Sequence, residues 1–215
     1  MDPGHLIVLE GVDGAGTTTQ TRLLAERLAA RHVPVHQTAE PSDGPIGSLL
    51  RQTLSGRVVL NSAGGGGAPA WSTMALLFAA DRLDHLDSEV LPNLRDGVTV
   101  LCDRYYHSSI AYQSATGGGP EAIAWLRELN RHARKPDLTI VLDVPPALAA
   151  ERRRRRRGVA EIFDDAELQS ALCDIYGTLE RHFDGERMVH VSGSGSVDEV
   201  AARVMTEVEA LRRVR

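Results

Sequence analysis

The chain has 215 residues, of which 42% are apolar and 25% charged, the composition of a soluble globular protein with one large core. Its formal net charge of -5 and pI near 5.9 argue against a protein built mainly to coat nucleic acid. No apolar run approaches the ~18–20 residues of a membrane span, so an integral helical membrane protein is excluded as well.

In chain order, short apolar runs at Leu6–Leu9, Val33–Val35, Val98–Cys102, Leu138–Leu142 and Met188–Val191 have the character of buried parallel strands. Helical patterns fill the gaps at Thr18–Ala30, Ser72–Leu94 and Pro120–Arg134, and Ile46 to Arg51 begins another. Asn61 to Ala70 (NSAGGGGAPA) reads as a loop inside an otherwise helical region. Asp164 with Glu167 forms a capping box, behind which Leu168, Leu172, Ile175, Leu179 and Phe183 recur at helical spacing. The repeated alternation predicts a three-layer α/β fold: a doubly wound, five-stranded parallel sheet with helices on both faces, in a single domain spanning 1–215. Cys102 and Cys173 lack metal-like spacing and suit a reducing cytoplasm, and Met1 to His5 carry no signal-peptide pattern, so a cytoplasmic location is expected.

Chemistry concentrates after the predicted strands. The first is followed by Glu10-Gly11-Val12-Asp13-Gly14-Ala15-Gly16-Thr17-Thr18-Thr19-Gln20, leading straight into a helix. Glycines in such a turn let backbone N–H groups face a phosphate, and the helix presents its positive end to the same anion. Phosphate loops follow GxxxxGK[ST], and here Thr17 occupies the lysine position while Thr18 supplies the hydroxyl for Mg²⁺. Of 24 cationic residues, 23 are Arg and one is Lys. That single Lys135 precedes its strand, hence belongs to the opposite sheet edge and cannot replace the missing group. Four further motifs follow: Thr38-Ala39-Glu40-Pro41; Phe78-Ala79-Ala80-Asp81-Arg82, which puts Phe78 and Arg82 on one helix face; Asp103-Arg104-Tyr105-Tyr106-His107-Ser108-Ser109-Ile110-Ala111-Tyr112-Gln113; and six consecutive arginines, Arg152 to Arg157. Singly, three of them have a bland reading: a turn, a core Phe beside a surface Arg, a solvated charge run. The Asp103–Gln113 motif is the most specific.

Together they resemble the thymidylate kinase family of P-loop nucleoside monophosphate kinases. EGVDGAGTTTQ is similar to that family's loop apart from the lysine, FAADR matches, and DRYYHSSIAYQ is close to the family's DRYxxSxxAYQ. Ala39 departs from the family's Arg-Glu-Pro. The resemblance implies transfer of the γ-phosphoryl of ATP to dTMP with Mg²⁺, in the service of dTTP synthesis, by a protein that is typically a homodimer and acts on small nucleotides rather than on nucleic acid or membrane. It implies that the loop from Gly11 through Val12, Asp13, Gly14, Ala15, Gly16, Thr17, Thr18 and Thr19 holds the ATP phosphates, with Thr18 and Asp103 at the metal. The acceptor would be met by Asp13, Glu40, Arg51, Phe78, Arg82, Arg104, Ser109, Tyr112 and Gln113. Phe78 would stack on the base, Arg82 would donate to a base carbonyl, and Asp13 would approach the sugar hydroxyl. Catalysis would fall to Asp103, Arg104 and arginines of the run, Arg153 and Arg156, in a lid over about 150–164. Losing a preorganised donor costs ~10²–10³ in rate, and guanidinium groups from a lid could restore it. A kinase for another pyrimidine nucleotide, or a nucleotide-binding homologue impaired in catalysis, are the alternative readings.

Overall fold

The computed structural model describes residues 3–58, 60–62, 65–67, 69–155 and 166–213. In chain order these form β1 (Leu6–Glu10), α1 (Thr17–Ala29), β2 (Val35–Ala39), α2 (Pro45–Leu54), β3 (Leu60–Ser62), β4 (Gly65–Gly67), α3 (Trp71–His85), α4 (Leu91–Arg95), β5 (Thr99–Asp103), α5 (Tyr106–Gln113), α6 (Ile123–Leu129), β6 (Leu138–Asp143), α7 (Pro146–Arg155), α8 (Ala166–Tyr176), β7 (Met188–Ser192) and α9 (Val197–Arg213).

The expected sheet is present: five parallel strands in the order β2-β5-β1-β6-β7. The order reverses at β1, because the chain goes outward to β2, returns to β5 and then crosses to β6 and β7. Right-handed crossovers place the helices of the two directions on opposite faces. β1 and β5 are buried along their whole length, which explains their nearly unbroken apolar sequence. Leu6–Leu9 share one buried cluster with Leu24 and Leu28 of α1 and Val204 and Val208 of α9, and with Ile110, Leu126 and Leu172 from α5, α6 and α8.

Four local expectations are corrected. The second strand lies at Val35–Ala39 rather than Val33–Val35: it is the sheet's edge, half exposed, so its sequence VHQTA carries three polar residues at its centre instead of forming an apolar run. The chain enters it through His32, at φ 58, and Pro34. The glycine-rich 61–70 stretch, read as loop, contributes to a small antiparallel ladder, Leu60–Ser62 against Gly65–Gly67, which backbone pairing alone reveals. The long helix expected at 72–94 is α3 and α4 joined by a wider π-type turn over Leu86–Val90, and the helix expected over 120–134 is shortened to Ile123–Leu129 after a 3₁₀ turn. The shortening has a use, since Asn130 just beyond α6 accepts a hydrogen bond from Arg82.

Candidate functional site

All five parallel strands end at one edge, and the sheet's reversal at β1 opens a crevice there. The phosphate loop crosses from β1 to α1 within it. Gly14, at φ 89, lies so close to α7 that a Cβ would sit 2.4 Å from the Ala149 carbonyl oxygen. Gly16, at φ 101, caps α1 without a side-chain hydrogen bond, which leaves the helix's first N–H groups for an anion. A cavity of about 550 Å³ is lined by Val12, Asp13, Gly14, Ala15, Gly16, Thr17, Thr18 and Thr19. Gly11 lies behind the loop instead, packed against the Leu142 carbonyl. Thr17 itself is nearly buried and brings no charge.

Thr18 Oγ1 donates to Asp103 Oδ2 at 2.5 Å, while Asp103 Oδ1 is buried and has no hydrogen-bond partner among the described residues. A hydroxyl beside a carboxylate with an unused buried oxygen is a donor set suited to a hard divalent cation. Next to it, Arg104 adopts φ 71, a conformation unfavourable for any residue but glycine, and its N–H is held by the Leu9 carbonyl. Its guanidinium is fixed by Asp13 Oδ1 at 2.6 Å, Ser108 Oγ at 3.1 Å and Tyr176 Oη at 3.4 Å, and lies over the Tyr112 ring. Behind it, the wholly buried Glu10 accepts the backbone N–H groups of Tyr105 and Ser108 at the start of α5, together with the hydroxyls of Ser108 and Tyr176. One carboxylate therefore caps α5 and aligns the two hydroxyls that hold Arg104.

A second cavity, of about 640 Å³, opens on the other side of Arg104. Asp13, Glu40, Arg51, Phe78, Arg82, Arg104, Ser109, Tyr112 and Gln113 all line it, and Asp13 and Arg104 belong to both cavities. Phe78 and Arg82 reach it from α3, four residues apart and so on one helix face, while Ser48, Arg51, Gln52 and Leu54 of α2 and Ser108, Ser109, Tyr112 and Gln113 of α5 form more of its wall. Arg82 is 1% exposed: Nη2 meets Glu40 Oε2 at 2.6 Å and Ser109 Oγ at 3.1 Å, and Nη1 donates to Asn130 Oδ1 at 2.5 Å. Asp81 accepts from the Ser42 N–H and hydroxyl, and so pins the turn that carries Glu40. Arg51 donates to the Pro41 and Ser42 carbonyls at the same turn. His85 does not line the cavity and is structural: Nε2 lies 2.8 Å from Thr38 Oγ1, and although burial lowers its pKa, the hydrogen bond and charge of Glu40 win and raise it. In contrast, Arg82 Nε and both amide atoms of Gln113 are buried without partners among the described residues. Buried polar groups left open in a cavity await a ligand that supplies the missing bonds.

The arginine run divides. Arg152 donates to the Ala15 carbonyl at 3.2 Å and the Gly193 carbonyl at 3.0 Å, and lines the phosphate-loop cavity. Arg153 donates to the Asp13 carbonyl at 2.8 Å and to Gln169 Oε1 at 3.2 Å. Arg154 is exposed, and Arg155 pairs with Glu151 on the surface. Arg156, Arg157, most of the expected 150–164 lid and Asp164 of the capping box lie outside the described residues. Lys135, as its position before β6 requires, is remote from the loop and borders a separate hollow with Glu186. Sequence reasoning missed Glu10, Asp81, Asn130, Arg152, Gln169 and Tyr176; an acid closing the buried β1 run was the one local signal among them. Among the described residues no helix is long and apolar enough to cross a membrane.

Comparison with known proteins converges on one family. The family model described as Thymidylate kinase matches residues 9–204. The chain is 38% identical to a probable thymidylate kinase of Pyrococcus abyssi over 96% of both chains. It is 40% identical to one of Thermococcus kodakarensis over 95% of this chain and 97% of the relative, and 43% identical to one of Staphylothermus marinus over 92% and 90%.

Proposed function

The chain belongs to the thymidylate kinase family, and on that premise we propose that it transfers the γ-phosphoryl group of ATP to the phosphate of dTMP, yielding dTDP and ADP. The observation that carries this reading is the pair of cavities meeting at Asp13 and Arg104, one walled by the phosphate loop and the other holding unpaired buried donors and acceptors.

ATP binds in the loop cavity with its phosphates on the N–H groups at the start of α1. dTMP binds in the second cavity with its base toward Gln113 and Arg82 Nε. The Gln113 amide offers one donor and one acceptor, which match the O4 acceptor and N3–H donor of thymine, and Phe78 gives the ring an apolar face. Arg104 spans the two cavities, so its guanidinium neutralises charge between donor and acceptor phosphates. An acceptor phosphate oxygen attacks Pγ, the bond from Pγ to the bridging oxygen breaks, and the pair of electrons leaves with ADP. No side chain becomes covalently modified; catalysis is positioning and charge neutralisation. Mg²⁺ would be held by Thr18 and Asp103, where it supplies neutralising charge to the ATP phosphate oxygens. The cation that position 17 lacks comes from the arginine run, of whose described members Arg152 lines the loop cavity and Arg153 donates to the carbonyl of Asp13, which both cavities border. Kinship also supports a homodimer, and Leu76 and Leu83, exposed seven residues apart on α3, are apolar surface for a second copy.

Steady-state assays with ATP, Mg²⁺ and dTMP, dUMP, dCMP or dGMP test the reading. The highest kcat/KM is expected for dTMP; a clear preference for another acceptor would overturn the substrate, and tight nucleotide binding without turnover would overturn the enzyme.

A further inference from the structure

Gln169 sits in the first turn of α8 and is 2% exposed, an unusual place for an amide unless both its ends are used. Nε2 donates to Asp13 Oδ2 at 3.1 Å. Oε1 accepts from Arg153 Nη1 at 3.2 Å, and the same Nη1 donates to the Asp13 backbone carbonyl at 2.8 Å. The other carboxylate oxygen of Asp13 accepts from Arg104. Arg153, Gln169, Asp13 and Arg104 thus form one continuous chain of hydrogen bonds from α7 to the end of β5, and its last two members are the residues that both cavities share.

We propose that Gln169 is a positioning residue for phosphoryl transfer: its amide seats Arg153 on the phosphate loop and braces Asp13 against Arg104. The proposal rests on the kinase reading above and adds to it how a loop without lysine keeps a cation in place. A lysine at position 17 would be carried by the loop itself. A guanidinium from another helix needs an external anchor, because each long side chain otherwise samples many rotamers and must be reorganised at every turnover. Anchoring uses Nη1 alone among the described residues, so the remaining N–H donors of Arg153 are left for phosphate oxygens. Only an amide satisfies both neighbours. A carboxylate at 169 would accept from Arg153 but repel Asp13, and an apolar side chain would leave both partners open.

The test compares Gln169→Met and Gln169→Glu, alone and combined with Arg153→Met, by steady-state kinetics with ATP, Mg²⁺ and dTMP alongside thermal unfolding. Gln169→Met is expected to lower kcat about tenfold, the scale of a misplaced positioning contact, with KM for dTMP within about threefold of wild type. In the Arg153→Met background the same change should cost less than about threefold, because the partner it seats is gone. Gln169→Glu should lose at least as much as Gln169→Met, and it keeps the test open should the Met variant unfold. A kcat within twofold of wild type for Gln169→Met, or an equal loss with and without Arg153, would overturn the proposal. Full activity in Gln169→Glu would overturn the bracing of Asp13. If wild-type protein failed to phosphorylate dTMP at all, the functional reading would fall instead, and the two failures are told apart by the wild-type lane.

Discussion

Arg82 does two jobs, and replacing it with Met separates them. Its guanidinium and the Glu40 carboxylate are 1% and 2% exposed and 2.6 Å apart, so Met leaves Glu40 as a buried charge whose one remaining ion-pair partner among the described residues is His85, at 3.4 Å. Removing one partner from a buried pair costs roughly 3–5 kcal/mol, a large share of the ~5–15 kcal/mol that holds a domain together. For a chain of this length, 1 kcal/mol moves Tm by roughly 2–4 °C, which places the expected drop at about 6–20 °C. Adding Glu40→Gln removes the uncompensated charge and should recover part of that loss, giving a non-additive cycle. Differential scanning calorimetry of the four proteins reads this directly. A drop below about 2 °C for Arg82→Met, or strict additivity in the cycle, would refute the claim that the pair is held tightly in the dry interior beneath the acceptor cavity.

Gln113→Leu should move stability and binding in opposite directions. Deleting two buried amide atoms that have no partners among the described residues is expected to raise Tm by about 2–4 °C, while KM for dTMP rises at least roughly tenfold as the base loses its reader. His190 gives a pH dependence. Its pKa is raised, first by the hydrogen bond to Asp143 and against burial, with the charges of Asp143 and Glu180 adding to the rise. Its contribution to stability is therefore complete below the unfolded value of about 6.5 and fades as pH rises through the raised folded value. With the ring partly in solvent, the contribution is at most about 1 kcal/mol, so His190→Gln should lower Tm by a few degrees at pH 5.5 and leave it unchanged at pH 9. An equal gap at both pH values would contradict the linkage.

How much was legible in the sequence depended on how far each residue had to reach. β1, β5 and β6 were readable because strands buried on both faces must be apolar throughout, whereas β2 at the edge is not, and in the small ladder the strand Gly65–Gly67 is glycine backbone with no side-chain signature. Phe78 and Arg82 were readable from helical spacing, and Thr18 and Asp103 from their places after strands. Their supporting partners were not. Glu10 meets Tyr176 across 166 residues, Asp13 meets Gln169 across 156 and Arg82 meets Asn130 across 48, and no local pattern encodes such contacts. The arginine run was visible as charge, but which members touch the loop is decided by the angle of α7, which sends Arg152 and Arg153 inward and Arg154 and Arg155 to the surface.

The central claim is a thymidylate-kinase site whose missing loop lysine is answered by arginine, and kcat of Arg153→Met with dTMP and saturating ATP and Mg²⁺ tests it most directly. A fall of ~10²–10³-fold is predicted, the cost of removing a preorganised donor to the transferring phosphoryl group, with KM for dTMP within about threefold of wild type. Turnover within a fewfold of wild type would contradict it.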